Sequence, residues 1–166
     1  AVGADAFILP VPGVDGSNVL TAEEAYDRVK SGAPLGENLV VLGGGLVGCE
    51  TGLFLATEAG KKVTILEMLP EVATDEMHLT RDALLDRLNE HTTGITANGV
   101  TYVDGDGNEQ TVACDHVILS AGMRPRQDLA ESFRNTAPFF VVIGDASKPS
   151  NVRNATRTGY DAALRL

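Results

Sequence analysis

Cysteine and positive charge are both scarce in this chain, and each scarcity removes a class of function. Only two cysteines, Cys49 and Cys114, occur among 166 residues. They lie far apart and form no C-x-x-C, so neither a disulfide framework nor a dithiol redox centre is expected, and the composition suits a reducing cytoplasm. Cys49 follows a glycine inside a helical stretch and reads as a small buried residue. Lys and Arg number 13 against 23 Asp and Glu, a net charge of −10. That balance argues against nucleic acid or an anionic membrane as partner, because phosphate contacts need clustered Lys and Arg; it serves solubility instead. No apolar run approaches the ~18 residues of a membrane span, and Ala1–Pro10 has neither a basic head nor a signal-like cleavage pattern. The histidines His78, His91 and His116 are scattered without metal-ligand spacing and read as structural or surface groups. Asp104, Asp106 and Glu109 lack the continuation of a calcium loop and read as turn residues. No acid–base pair with separable roles is present, so no catalytic residue and no metal ligand is assigned.

What the chain does have is a globular balance, 43% hydrophobic and 22% charged residues. Its length suits one domain of ordinary size, able to bury about 70% of its unfolded surface. The most informative stretch is Leu39–Glu67. The apolar run Leu39-Val40-Val41-Leu42 leads into Gly43-Gly44-Gly45-Leu46-Val47-Gly48, a G-x-G-x-x-G. A helical run continues to Ala59, Gly60 stops it, and Lys62-Val63-Thr64-Ile65-Leu66 delivers the chain to Glu67. Gly43 permits the tight turn, Gly45 lets the backbone approach a pyrophosphate, and Gly48 lets helix and strand pack closely. The free N–H groups of the first helical turn then face the phosphates with the positive end of the helix dipole. Set between two strands, with an acid at the expected distance, the glycine turn predicts a dinucleotide site. Glu67 can accept hydrogen bonds from the adenosine ribose hydroxyls, which NAD presents and NADP blocks with a phosphate. Two like charges about 4 Å apart cost up to roughly 4 kcal/mol at an effective dielectric near 20, so NAD(H) is expected to be preferred over NADP(H). The adjoining Met68-Leu69-Pro70 offers no Arg to hold a 2′-phosphate.

The remaining elements are set by local chemistry. Pro10, Pro12 and Gly13 keep the middle of the lead-in extended or turning. Thr21-Ala22-Glu23-Glu24 has capping-box spacing and predicts a helix through about Lys30; Ser31–Asn38 is a loop. After a loop at Met68–Thr74, Leu84, Leu85 and Leu88 give one apolar face to a helix ending near Glu90. From Gly94 the pattern turns to strand. Val100–Val103 and Gln110–Ala113 flank the turn Asp104–Asn108 as a hairpin, and Val117–Leu119 is a short buried strand running into Ala121-Gly122. Arg124-Pro125-Arg126 is expected to force a turn, Phe139–Ile143 to form a last strand closed by Gly144-Asp145, and Asn151–Leu166 to be helical. Small residues at Ala155, Gly159, Ala162 and Ala163 suit close packing of that helix. The fold class is therefore α/β, a Rossmann-like parallel sheet with flanking helices and an added antiparallel hairpin.

Further motifs around the glycine turn carry a family likeness over nearly the whole chain. Ala1-Val2-Gly3-Ala4 resembles the A-T-G-A junction of two-dinucleotide flavoprotein reductases, where the chain leaves the FAD domain for the NAD domain. Ser120-Ala121-Gly122-Met123-Arg124-Pro125 resembles the segment that closes their NAD domain, and Val142-Ile143-Gly144-Asp145 the G-D motif whose Asp bonds FAD. With Gly43–Thr51, Glu67-Met68-Leu69-Pro70 and Pro12–Gly16, the chain resembles the NAD(P)H-binding region of the NADH oxidase, 2,4-dienoyl-CoA reductase and trimethylamine dehydrogenase group. The resemblance implies NADH on Gly43–Gly48, Glu50, Glu67, Met68, Ala121 and Gly122, and the edge of an FAD site at Gly3, Gly144 and Asp145. Glu50 matches the family's acid near the nicotinamide; an acid in an N-terminal helical turn is equally favoured by the dipole. Complete members also carry an N-terminal FAD glycine motif, an FMN-binding barrel and a 4Fe–4S cluster, none of which is present in this sequence. The chain therefore resembles an excised piece. Residues 1–37 lead in from the FAD-domain junction, 38–126 form the NAD(H)-binding Rossmann domain, and 127–166 return as the C-terminal part of an FAD domain. Its implied partners are the FAD domain and the FMN barrel of a parent enzyme, with hydride passing from NADH to FAD and electrons onward to the cluster and FMN; alone it is expected to be inactive.

Two departures stand against the family pattern. Val2 replaces the usual Thr of the junction, which weakens any FAD contact there. His91–Val100 is shorter than its counterpart, which fits another strand and a turn before the hairpin; either the sheet is trimmed or a loop is omitted. Two other readings use the same glycine turn. An NAD(H)-sensing regulatory Rossmann module without catalysis accounts for the turn and Glu67 but not for Arg124-Pro125 or Gly144-Asp145. A methyltransferase would place an acid at or just before the first glycine, where Leu42 stands.

Overall fold

The computed structural model describes residues 2–68 and 91–165, with the side chains of 91–93 excepted. The expected helix through Leu84, Leu85 and Leu88, the loop residues 69–74 and His78 lie outside the described residues. The chain splits into two compact units, Ile8–Gly122 and a second formed by Ala1–Phe7 with Met123–Leu166. The second unit contains β1 (Ala4–Ala6), β9 (Met123–Pro125), α3 (Gln127–Glu131) and α4 (Val152–Ala163). The first contains β2 (Val19–Thr21), α1 (Ala22–Ser31), β3 (Asn38–Leu42), α2 (Leu46–Thr57) and β4 (Lys62–Leu66). It continues through β5 (His91–Thr96), β6 (Gly99–Val103), β7 (Glu109–Ala113) and β8 (His116–Leu119).

The first unit is organised by a four-stranded parallel sheet in the order β2-β8-β3-β4. The apolar runs of β3 and β8 carry no polar alternation because both faces of these strands are covered. Leu39, Val41 and Ile118 pack with Leu20, Ala25 of α1 and Leu55 of α2. Their neighbours Val40, Leu42, Val117 and Leu119 pack on the other face with Ile95 and Val100 of a three-stranded antiparallel sheet, β5-β6-β7. Each such side chain contributes about 1.5–3 kcal/mol on leaving water. The expected hairpin is present as β6–β7, and β5 extends it. That strand begins at His91 rather than Gly94, so the short stretch before the hairpin still holds a strand and a turn. Its Thr-Thr-Gly-Ile-Thr run is a weak strand signal until its neighbour is known.

Local chemistry sets the ends. The Glu24 amide donates to Thr21 Oγ1 at 3.2 Å and the Thr21 amide donates to Glu24 Oε2 at 2.7 Å, which is the expected capping box. The Asp104 carboxylate accepts the amides of Asn108 and Asp106, and these bonds hold it below the usual carboxylate range, so the acidic stretch is a turn. At the start of β8, Asp115 accepts the Glu37 and Asn38 amides at 2.8 Å each. Beside it, His116 Nδ1 accepts the Gly36 amide at 3.2 Å while Arg28 Nη1 lies 3.3 Å from Nε2. Both ring nitrogens thus face donors, and burial, reinforced by the Arg28 charge, lowers the His116 pKa. His116 thus ties the start of β8 to the Gly36 backbone and to Arg28 of α1.

The second unit corrects two expectations. Arg124-Pro125 does not turn; it lies in β9, paired antiparallel with β1 so that Pro125 stands opposite Ala4 and Arg124 opposite Asp5. Proline is tolerated because a two-stranded ribbon consists of edges, where a missing N–H breaks no central ladder. The Arg126 guanidinium closes the ribbon on Asp5, holding that carboxyl low, and donates to the Val2 carbonyl. Phe139–Ile143 is not a strand: it runs without a ladder partner among the described residues, and Phe139, Val141 and Ile143 are exposed. An apolar run specifies a strand only when a neighbour takes its N–H and C=O groups. Helix α4 forms where expected, capped by Asn151, whose side chain accepts the Asn154 amide.

Candidate functional site

Parallel strands deliver their carboxyl ends to one edge of the sheet, and in the first unit Leu42, Leu66 and Leu119 end side by side. The candidate site is built from the segments just past these ends: Gly43–Gly48 after β3, Glu67-Met68 after β4, and Ser120-Ala121-Gly122 after β8. Backbone bonds tie the ends together. The Gly43 amide donates to the Leu66 carbonyl at 2.9 Å, and the Ser120 amide to the Leu42 carbonyl at 2.8 Å. The region beyond the carboxyl ends of the strands is where open α/β sheets take ligands.

The three motif glycines have separable reasons. Gly43 has φ 106°, and a Cβ there would lie 2.4 Å from the Ser120 carbonyl oxygen. At Gly48 a Cβ would meet the Gly43 oxygen at 1.9 Å. Both are demanded by the fold. Gly45 is different: it is the N-cap of α2 in an extended conformation open to any residue, and a Cβ there would meet nothing within 4 Å. It is exposed, and no side chain caps the helix it begins. The amides of the first turn are therefore left to whatever occupies the space in front of them, with the positive end of the helix dipole behind.

Around this turn the side chains are arranged in a gradient of exposure. Gly44 and Gly48 are buried, Leu46 is half-buried, and Val47 stands 53% exposed. Glu50 is exposed in the second turn of α2, and the first turn contains no acid, so the N-terminal-turn reading of Glu50 is corrected. Glu67 is half-buried directly after β4, and its Oε2 accepts the Gly44 amide at 2.6 Å. Met68 is exposed, Ala121 half-buried, and Gly122 exposed with φ 106°. Eleven predicted nucleotide-site residues thus fall within one unit, around one sheet edge. The three predicted flavin-edge residues, Gly3, Gly144 and Asp145, lie in the other unit. There the Gly144 amide donates to Thr158 Oγ1 at 3.0 Å and Asp145 Oδ1 accepts the Ser150 amide at 3.2 Å.

Sequence reasoning missed two participants. Ser120 presses its carbonyl under Gly43 and lies with Oγ near Gly48; the sequence named it only as the first residue of the segment resembling the close of an NAD domain, with no role of its own. Cys49 donates its thiol to the Gly44 carbonyl at 3.3 Å. Burial, with the Glu67 and Glu50 charges adding, raises its pKa, and burial pushes Cys114 up to about 11. Both cysteines are free and buried, and both are held as thiols rather than thiolates. Among the described residues no cluster of His, Cys, Asp and Glu could hold a metal ion, and no helix is long and apolar enough to cross a membrane.

Residues 1–139 match the family described as pyridine nucleotide-disulphide oxidoreductase. A cinnamate reductase of Clostridium sporogenes is 30% identical over 177 residues, covering 100% of this chain and 26% of that protein. An NADH oxidase of Thermoanaerobacter brockii is 31% identical over 159 residues, covering 90% of this chain and 23% of that protein. A 2-naphthoyl-CoA reductase solved with 2-naphthoyl-CoA superposes with a TM-score of 0.86 at 24% identity, over 100% of this chain and 26% of that one. That last likeness is one of fold. The chain spans about a quarter of the length of these relatives.

Proposed function

The chain belongs to the pyridine nucleotide-disulphide oxidoreductase family, a family of oxidoreductases, and on that premise we propose that it is the NADH-binding part of a flavin-dependent oxidoreductase. The observation that carries the reading is Gly45. The fold requires Gly43 and Gly48 but leaves Gly45 without a packing reason, at the uncapped start of α2. A pyrophosphate against the first-turn amides supplies that reason. On this reading Gly43–Gly48 cradle the pyrophosphate, Glu67 accepts the ribose hydroxyls and so favours NADH over NADPH, and Met68 borders the adenosine. Glu50, Ala121 and Gly122 position the nicotinamide end.

NADH would supply a hydride, and the residues of this chain bind, orient and select it; none of them reacts. A flavin must accept, and Gly3, Gly144 and Asp145 offer only an edge for FAD. The rest of that site, an FMN barrel and a 4Fe–4S cluster belong to further chain, so the piece alone turns nothing over. Residues 1–37 then lead in from the flavin domain, 38–126 carry the nucleotide and 127–166 return. The lead-in also provides β2 and α1, which complete the sheet edge.

Calorimetric titration of the chain with NADH, NADPH and FAD tests the reading. Micromolar NADH binding with much weaker NADPH and no FAD is expected. Gly45→Ala should weaken NADH by at least about tenfold, equivalent to about 1.4 kcal/mol. The same change leaves folding stability unchanged or raised by up to about 1 kcal/mol. Undiminished NADH affinity in Gly45→Ala would remove the pyrophosphate from this turn.

A further inference from the structure

We infer that Glu67 is a positioning residue for the glycine turn as well as a ribose acceptor, holding the turn in its binding shape before nucleotide arrives. The inference rests on the reading of the turn as an NADH site. Gly44 is buried and has no side chain with which to anchor itself. Its two backbone polar groups are tied from opposite sides: the amide donates to Glu67 Oε2 at 2.6 Å, and the carbonyl accepts the Cys49 thiol at 3.3 Å. The first bond links the turn to the end of β4 and is charge-assisted, the stronger kind. Left unmade, it would strand a buried N–H, which a fold avoids. A carboxylate offers about four lone-pair sites, so the acceptor that takes the Gly44 amide is of the chemical type that takes ribose hydroxyls as well. One side chain therefore sets both the shape of the phosphate cradle and the sugar it admits.

The consequence for specificity is asymmetric. Replacing Glu67 with Arg removes the repulsion of a 2′-phosphate, yet it also removes the acceptor that the Gly44 amide needs. NADH affinity falls, NADPH affinity does not rise to replace it, and the NADH-to-NADPH ratio narrows through loss rather than exchange. Glu67→Gln keeps an amide oxygen in reach of Gly44 and rescues the turn; Glu67→Ala does not.

Amide hydrogen exchange and the proton shift of Gly44, read by NMR on the whole ligand-free chain, test this directly. Wild type and Glu67→Gln should protect Gly44, while Glu67→Ala should speed its exchange by about tenfold or more relative to β3 amides, the scale of a lost charge-assisted bond. Glu67→Asp, one methylene shorter and still charged, should behave like Ala, and serves if the Ala variant fails to fold. Gly44 exchange and shift identical to wild type in the Ala or Asp variant would overturn the inference. The two readings fail separately. Gly44 released by substitution in a chain that binds no NADH leaves the clamp standing without its ligand. NADH bound by a chain whose Gly44 ignores Glu67 refutes the clamp alone.

Discussion

The unit Ile8–Gly122 and the unit built on β1, β9, α3 and α4 draw on similar residues but bury them very differently. In the first, Leu39, Val40, Val41, Leu42, Leu55, Val100, Val117 and Ile118 are essentially closed to water, on both faces of one sheet. In the second, the buried apolar residues among those described are Ala130 and Ala146, while Phe133, Phe139, Val141, Ile143, Val152, Tyr160 and Leu164 are all exposed. Helix α4 has no buried residue. A core of two alanines is far too small to offset the conformational entropy of ordering this much chain. The first unit is built around a closed apolar core, whereas the second leaves most of its large apolar side chains exposed.

That contrast can be sharpened or broken by three measurements. Leu55→Ala, at 0% exposure, should lower the unfolding free energy by about 2–5 kcal/mol in urea titration. Leu164→Ala, at 69% exposure, should stay within about 0.5 kcal/mol. Equal costs would erase the difference between the units. Thr21→Ala removes the capping box of α1 and should cost about 1 kcal/mol of the same transition. Asn151→Ala removes the matching cap of α4 and should reduce helical circular dichroism without moving that midpoint. The smallest effect is one of pH. The folded state keeps His116 neutral below its ordinary value of 6.5, so the unfolded chain binds the proton first and stability falls as pH drops through 6.5. His116→Gln should flatten this slope in urea midpoints measured between pH 7 and 5. Asp104 and Asp115, held below 3.8, lose their contribution only at lower pH, so the two acid limbs separate.

Legibility tracked the range of the interactions. The run from β3 to Glu67 was readable because each step is local: an apolar strand, a glycine turn, a helix and a second strand adjacent in sequence. The Thr21 cap and the Asp104 turn were readable for the same reason, since side chain and backbone partner lie within four residues. The β1–β9 ribbon was not. Three-residue strands show no periodicity, and their partners are far apart in sequence, Ala4 standing opposite Pro125. Phe139–Ile143 misled in the opposite sense, since its composition says strand while the ladder depends on a neighbour. At the site, the sequence placed the glycines and the acid on adjoining strand ends. It could not show that Glu67 reaches back to Gly44, which depends on the registration of β4 against β3.

The register of the parallel sheet also implies an order in time. Asn38 pairs with Lys62, Leu39 with His116, and Val19 with Val117. The first closure spans the shortest loop and the last the longest, and the entropy lost on closing a loop grows with its length. Contacts between distant strands are correspondingly slow to form. The β3–β4 pairing, and with it the turn that Glu67 clasps, is therefore the cheapest part of the sheet to assemble, and β2 the costliest. A nascent chain would own its glycine turn and the two strands that frame it well before the strand that finishes its sheet has been joined.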